Sequence, residues 1–160
     1  MKKKHKEGLQ GATFGMMEGV VMVIAMLFGF VAAGLEREVM IIAIILTAFA
    51  DGVANTSAFY VSEETETFHT RREILKSAFW TFVGTVVAFT LPVIPLLFLP
   101  VGQAVIGAVA IAILMFLFLG QFVGRIANRD PMILSVKYLV IGIVAALVAY
   151  VAAYLIELLL

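Results

Sequence analysis

Apolar residues in this chain form five long blocks, each of the length needed to cross a lipid bilayer as a helix. A hydrocarbon core about 30 Å thick requires about 20 apolar residues at the rise of an α-helix. The chain is 63% hydrophobic and 14% charged, whereas a soluble domain is closer to half apolar and a quarter charged. We therefore predict an all-α integral membrane bundle, with residues 1–160 forming a single transmembrane domain. The predicted spans are residues 11–34, 39–60, 77–99, 101–126 and 132–155.

Basic residues are distributed unevenly among the segments that flank these spans. If the N-terminus is cytoplasmic, only Arg37 of the 11 Lys and Arg residues lies outside. The positive-inside rule therefore predicts a cytoplasmic N-terminus and, with five spans, an outside C-terminus. Residues 1–10 are then a basic cytoplasmic N-terminus, residues 62–76 are a short cytoplasmic connection, and the protein is a multi-pass protein of the cell membrane. The basic residues on or near the cytoplasmic side are Lys2, Lys3, Lys4, Lys6, Arg71, Arg72, Lys76, Arg125, Arg129 and Lys137.

Two carboxylic acids lie inside predicted spans, Glu18 in the first and Asp51 in the second. A charged side chain at the centre of a membrane helix costs about 2.5–3.5 kcal/mol on insertion scales, so it usually faces a partner, a cavity or an ion. Helical periodicity places Thr47, Asp51 and Asn55 along one side of the second span. Because the two spans are consecutive and antiparallel, we expect Glu18 to meet this stripe. The predicted polar site therefore contains Glu18, Asp51 and Asn55.

The residue types at this site suit a divalent cation, protons, or both. Met22 and Met26 follow Glu18 at intervals of four residues, so two thioethers share its helix face. Carboxylate and amide oxygens suit Mn²⁺ and Fe²⁺, and sulfur shifts the preference away from Mg²⁺ and Ca²⁺. Two carboxylates neutralise a divalent cation, and one shared proton stabilises the empty site. The alternatives are that the acids are protonated hydrogen-bond donors between helices and that both methionines only pack or face lipid.

A second acidic group follows the second span. If that helix continues into the cytoplasm, Glu63, Glu66 and His69 fall near one side, as in a low-affinity loading site for a cation. The simpler interpretation, which we prefer, is a solvated helical hairpin with Arg71 and Arg72 at the lipid headgroups.

Glycine and proline predict how the helices pack. The Gly-xxx-Gly pairs formed by Gly11, Gly15 and Gly19 predict close approach of another helix. Gly15 and Gly19 also flank Glu18, where an ion would reach exposed backbone. Pro92 and Pro95 predict a kinked or unwound outer end of the third span.

Composition and residue positions argue against several functions. The chain contains no cysteine, which excludes disulfides and thiolate metal sites. Both histidines lie outside the spans and no Ser/His or Ser/Lys arrangement is buried, so we expect no enzymatic activity and no cofactor. There is no nucleotide-binding loop, and the N-terminal lysines suit anionic lipid better than nucleic acid.

Three segments give the chain a resemblance to the vacuolar iron transporter family. They are residues 14–21 (FGMMEGVV), residues 50–63 (ADGVANTSAFYVSE) and residues 92–97 (PVIPLL). The resemblance implies a homodimer with a metal path at or near the dimer interface. It also implies export of Fe²⁺ or Mn²⁺ from the cytoplasm in exchange for protons.

Within this resemblance, Glu18 takes the position of the family's first-helix Asp, and Asp51 occupies a small or acidic position. Asn55 stands where many members have Met, and Phe59 where they have a Glu. The large cytoplasmic metal-binding insert of eukaryotic members is missing, as in a compact prokaryotic relative.

The leading functional hypothesis is a secondary transporter of a divalent transition metal. Glu18 and Asp51 then act as ligands or proton carriers, and Asn55 as an oxygen ligand. One alternative is a non-transporting membrane scaffold or interaction protein on the same fold. Another is a carrier for a harder cation, Mg²⁺ or Na⁺, which the replacement of Met by Asn55 favours.

Overall fold

The part of the chain that the structure describes is a bundle of five long helices. The structure, a computed structural model, describes residues 6–65 and 70–159, and every regular element in this part of the chain is an α-helix. The helices have 27 to 29 residues, about 40 Å or more at 1.5 Å per residue. All five are long and apolar enough to cross a membrane, which confirms the predicted five-helix membrane fold. Their bounds are α1 Lys6–Ala32, α2 Arg37–Glu64, α3 Arg71–Phe98, α4 Val101–Ala127 and α5 Pro131–Leu159.

Local capping interactions determine where the helices begin and end. Past the end of α1, Gly34 has φ +63°, and Asn128 caps the end of α4 with φ 53°. Both are residue types that tolerate the left-handed conformation of a helix C-terminus. At the start of α3, Thr70 and Glu73 form a capping box, and Asp130 Oδ1 accepts the backbone N–H of Met132 at 2.8 Å to start α5. These caps allow short turns between long helices.

The helices extend further than the sequence pattern indicated around residues 62–76. α2 continues to Glu64, and α3 begins at Arg71, so most of this segment is helical. Glu63 therefore lies within the regular helix of α2. Glu66 and His69, the other members of the predicted loading site, lie outside the described residues.

The two prolines of α3 do not open the helix. Pro92 and Pro95 lie inside α3, which continues as a helix to Phe98, so of the two predicted alternatives, a kinked or an unwound end, unwinding does not occur. A Cβ atom added to Gly107 of α4 would lie 3.1 Å from the ring of Pro95. Packing against neighbouring helices thus supports the segment, as is common for prolines in membrane helices.

Helix α1 is the centre of the bundle and contacts each of the other four helices. Its closest neighbour is α3, which runs parallel to it. A Cβ atom added to Gly11 would lie 2.0 Å from the carbonyl oxygen of Ser77, and one added to Gly15 would lie 2.1 Å from that of Thr81. Gly19 meets the same helix one turn further along. The backbones of α1 and α3 are therefore in direct contact, which confirms the close approach predicted from the glycine spacing.

The buried core lies among α1, α2, α3 and α4, while α5 is peripheral. Only Ser135, Gly142 and Ala146 are buried among the described residues of α5. The Ser135 hydroxyl donates to the carbonyl oxygen of Leu117 in α4 at 3.2 Å. Most of the remaining α5 surface is apolar and exposed, as expected for a helix that faces lipid.

Candidate metal-ion site between α1 and α2

Three polar side chains from α1 and α2 meet at one point inside the bundle. The amide nitrogen Nδ2 of Asn55 donates to Glu18 Oε2 at 2.5 Å and to Asp51 Oδ2 at 3.2 Å. Because one nitrogen atom contacts both carboxyl groups, Glu18 and Asp51 are close neighbours. The structure thus brings together the three residues that the sequence analysis placed in one polar site. We call Glu18, Asp51 and Asn55 the acidic cluster.

The acidic cluster is one step of a regular set of contacts between α1 and α2. Along α1 the contacting residues are Gln10, Phe14 and Glu18, and their respective partners on α2 are Glu63, Phe59 and Asn55. Each step is four residues on both helices, and the α2 numbers fall as the α1 numbers rise. The two helices are therefore antiparallel, and the i, i+4 spacing keeps all three contacts on one face of each helix.

Residues beside these contacts on both helices pack against α3, which holds the acidic cluster in place. Gly52, next to Asp51, is buried, and a Cβ atom there would lie 3.0 Å from the Phe82 ring. On α1, Gly15 and Gly19 are buried against the α3 backbone. The expectation that these two glycines expose backbone to an ion is therefore wrong, because α3 occupies that space.

The two methionines that follow Glu18 on its helix face, Met22 and Met26, lie in apolar surroundings. Met22, 36% exposed, lines an apolar groove with Val21 and Ala25 of α1 and Val144 of α5. Met26 is partly buried and packs against the hydrophobic core. In the described chain, the hydrogen-bonding partners found in the acidic cluster are oxygen and nitrogen atoms only. The structure therefore provides no contact that brings a thioether into the cluster.

Glu63 lies at the end of the α1–α2 interface where α1 begins. Its side chain is buried, with 8% exposed, and its Oε1 accepts a hydrogen bond from Gln10 Nε2 at 3.2 Å. Across residues 6–65 and 70–159, no three acidic, histidine or cysteine side chains converge in a way that would hold a metal ion. Any complete ligand set would therefore include amide, backbone or water oxygens beside the carboxylates, or groups outside this part of the chain.

The acidic cluster has the chemistry of an exchange site for positive charge. The Asn55 amide group donates to both carboxyl groups and thus stands where a cation would stand. Rotating this amide by 180° would present Oδ1 in place of Nδ2, which turns a donor into a ligand. A proton on one of two neighbouring carboxyl groups relieves the repulsion between their charges and allows one group to donate to the other. Protons, an amide and a divalent cation can therefore each satisfy the same oxygens.

Sequence reasoning missed two partners of this interface, Gln10 and Phe14. Both precede Glu18 by multiples of four residues, so extending the Glu18 stripe backwards would have found them. Gln10 lies near the start of the first span and Phe14 is an ordinary apolar residue, so neither is conspicuous in an apolar helix.

The fold and the cluster together define the class: a multi-pass helical membrane protein with carboxylates inside its spans. The model of the VIT family matches residues 68–154, more than half of the chain. The protein belongs to the VIT family, which confirms the resemblance to vacuolar iron transporters. A search of curated proteins finds no match.

Membership in this family supports membrane metal-ion transport as the general function and fits a protein that is not an enzyme. The matched region covers all of α3 and α4 and most of α5. It includes residues 92–97, one of the three segments that carry the resemblance, but not the acidic cluster, which lies in α1 and α2 before the match begins. The role of Glu18, Asp51 and Asn55 therefore depends on their geometry.

Proposed function

We propose that this protein is a secondary transporter that exports Fe²⁺ or Mn²⁺ from the cytoplasm in exchange for protons. The observation that carries the proposal is the acidic cluster, in which Asn55 donates to both Glu18 and Asp51. Acidic residues inside membrane spans usually mark ion pathways or proton relays.

Exchange follows from the charge of the cluster. Two ionised carboxylates neutralise one divalent cation, and binding displaces the Asn55 amide nitrogen and any proton between Glu18 and Asp51. When the cation leaves, protons and the amide again satisfy the carboxyl oxygens. Because a cation, protons or the amide always neutralise or hydrogen-bond the two carboxylates, the site avoids the cost of an unpaired charge in a medium of low dielectric constant.

The direction of transport in this proposal comes from the distribution of basic residues. The positive-inside rule predicts that α1 begins on the cytoplasmic side, and in this proposal Gln10 and Glu63 then lie on the side from which the cation arrives. Glu63, together with Glu66 from the adjoining segment, is the proposed loading site. The C-terminus is then outside, and the protein resides in the cell membrane.

We further propose that the protein works as a homodimer. The side chains of the acidic cluster are only half-buried within one chain, and a laterally exposed carboxylate is costly in lipid. Three exposed alanines run along α2 at intervals of four residues: Ala50, Ala54 and Ala58. Small residues at this spacing are typical of contacts between membrane helices. A second copy that covers this face of α2 would enclose the cluster.

A carrier for a harder cation such as Mg²⁺ is the second candidate. It is favoured by the position of Met22 in the apolar groove between α1 and α5. Without sulfur, the donors are carboxylate and amide oxygens, which suit Mg²⁺ and Mn²⁺ better than softer ions. The two candidates differ in the predicted order of affinity for Mn²⁺ and Mg²⁺.

Metal-dependent thermal unfolding of the purified protein tests the site directly. A ligand present at about 100 times its Kd stabilises the folded state by about 2.7 kcal/mol. We expect Mn²⁺ and Fe²⁺ to raise the unfolding temperature of the wild type and to have little effect on Glu18→Gln and Asp51→Asn.

The matched control is Glu38→Gln, because Glu38 is an exposed acid that pairs with Arg37 in the first turn of α2, away from the acidic cluster. This variant should retain the full metal effect. Equal stabilisation of Glu18→Gln and the wild type would refute the site. A stronger effect of Mg²⁺ than of Mn²⁺ would favour the second candidate, and no effect of any divalent ion would favour a non-transporting scaffold.

A further inference from the structure

An aromatic pair separates two polar contacts on the α1–α2 interface. Phe14 and Phe59 are in ring contact, with centroids 5.6 Å apart and ring planes at 46°. On one side, four residues away on each helix, Gln10 contacts Glu63. On the other side, again four residues away, lies the acidic cluster. Four residues correspond to about 6 Å along a helix, so the rings occupy the one intervening turn.

The two rings differ in how firmly they are held. Phe59 is buried, with 8% exposed, whereas Phe14 is 44% exposed. Phe59 is thus held on most sides by the bundle, whereas nearly half of the Phe14 surface is free of contacts within this chain. An aromatic pair is held by dispersion and by the electrostatics of its ring edges and faces, without a hydrogen bond or charge pair. Such a contact can separate by a rotamer change of the less buried ring.

We propose that the Phe14–Phe59 pair is the barrier between the Gln10–Glu63 end of the interface and the acidic cluster, and that the rings separate when a cation passes. This inference rests on the proposed transport function and adds the element that controls access to its site. Hydrophobic constrictions block ions because water leaves the narrow apolar segment and a hydrated ion cannot follow. A closed ring pair keeps the carboxylates inaccessible from that end until the pair opens.

The absence of native cysteine makes access to the cluster directly measurable. The single-cysteine variant Asn55→Cys, reconstituted in liposomes, is treated with a charged, membrane-impermeant methanethiosulfonate reagent, and the rate of modification is recorded. The reagent is added to the face of the membrane on which α1 begins, as identified by a protease site at the N-terminus. The rate reports how often the path from Gln10–Glu63 to the cluster is open.

We expect Phe59→Ala and Phe14→Ala, each combined with Asn55→Cys, to increase the rate about two- to tenfold. This is the factor by which losing one ring contact shifts an opening equilibrium. The control is Phe118→Ala, which removes one ring of the stacked Phe118–Phe122 pair on α4. It should leave the rate unchanged.

An unchanged labelling rate in both Phe14→Ala and Phe59→Ala would overturn the proposal. An increase in Phe118→Ala as large as in these two variants would also overturn it, because it would indicate a general loosening of the bundle. If Phe59→Ala does not fold, Phe14→Ala still decides, because Phe14 is partly exposed and its loss leaves no enclosed cavity. The labelling needs no transport, and metal flux is measured separately in the wild type, which keeps Asn55. Faster labelling in the Phe variants with no flux in the wild type would support the barrier and refute the transport function. Flux in the wild type without faster labelling in the Phe variants would do the reverse.

Discussion

Replacing Gly15 by alanine should disrupt the contact between α1 and α3 more than any other single methyl group added near the acidic cluster. The added Cβ would lie 2.1 Å from the carbonyl oxygen of Thr81 and 2.9 Å from both the backbone nitrogen and the hydroxyl of Thr85. The nearest obstacles belong to the backbone of α3, so they cannot move aside by changing rotamer. The two helices must separate, and Glu18, one turn further along α1, must move with them.

The size of the effect follows from these distances. A carbon–oxygen contact is acceptable at about 3.3 Å, so the helices would have to separate by about 1.2 Å at this level. A radial gap of 0.5–1 Å already forfeits a quarter to a half of a dispersion contact, and overpacking typically costs about 1–3 kcal/mol. Because the obstacle is backbone, we expect a loss of about 3 kcal/mol in the free energy of unfolding.

Unfolding in mixed detergent micelles, followed by the far-ultraviolet circular dichroism signal, measures this loss. The control is Gly102→Ala in the first turn of α4, where an added Cβ meets no atom within 4 Å. Alanine is favoured over glycine in a helix by about 0.5–1 kcal/mol, so the control should be unchanged or slightly more stable. If Gly15→Ala were as stable as Gly102→Ala, the direct backbone contact between α1 and α3 would be refuted.

Three further predictions concern the acidic cluster. Asn55→Leu should weaken Mn²⁺ binding and lower the free energy of unfolding by about 1.5–3 kcal/mol, since it removes an amide donor from two carboxyl groups. Isothermal titration measures the binding and thermal unfolding measures the stability. An unchanged stability would contradict the observed contacts. Met22→Leu should leave Mn²⁺ affinity within about twofold of the wild type, because the thioether lies in an apolar groove and this substitution conserves side-chain volume. A tenfold loss of affinity would show that Met22 is a ligand. Binding of Mn²⁺ should weaken as pH falls, because carboxylate ligands must lose their protons to bind a metal; pH-independent affinity would exclude proton competition at Glu18 and Asp51.

The overall fold could be predicted because each helix is apolar along most of its length. Continuous apolar segments of this length have few alternatives in a membrane, and the caps at Gly34 and Asn128 are ordinary sequence signals. Of the kinked or unwound end predicted at Pro92 and Pro95, the unwound form does not occur, because packing against α4 supports the helix where proline removes hydrogen bonds. Such tertiary support is not visible in the sequence of a single span.

The candidate site was predictable in its polar members and not in its apolar ones. Glu18 and Asp51 are conspicuous because charge is costly inside a membrane, and Asn55 lies one turn from Asp51. The position of Met22 could not be derived, since a helix that contacts four neighbours gives each face a different partner. For the same reason, α1 glycines that flank Glu18 in sequence are covered by α3 in space.

Metal uptake into proteoliposomes with an imposed pH gradient tests the central claim most directly. Purified wild type, Glu18→Gln and Asp51→Asn are compared for Mn²⁺ and Fe²⁺ flux, with Glu38→Gln as the control. The account predicts flux that depends on the pH gradient in the wild type and the control and is lost in both cluster variants. Gradient-dependent flux that persists in Glu18→Gln and Asp51→Asn, or no flux of any divalent ion in the wild type, would contradict it.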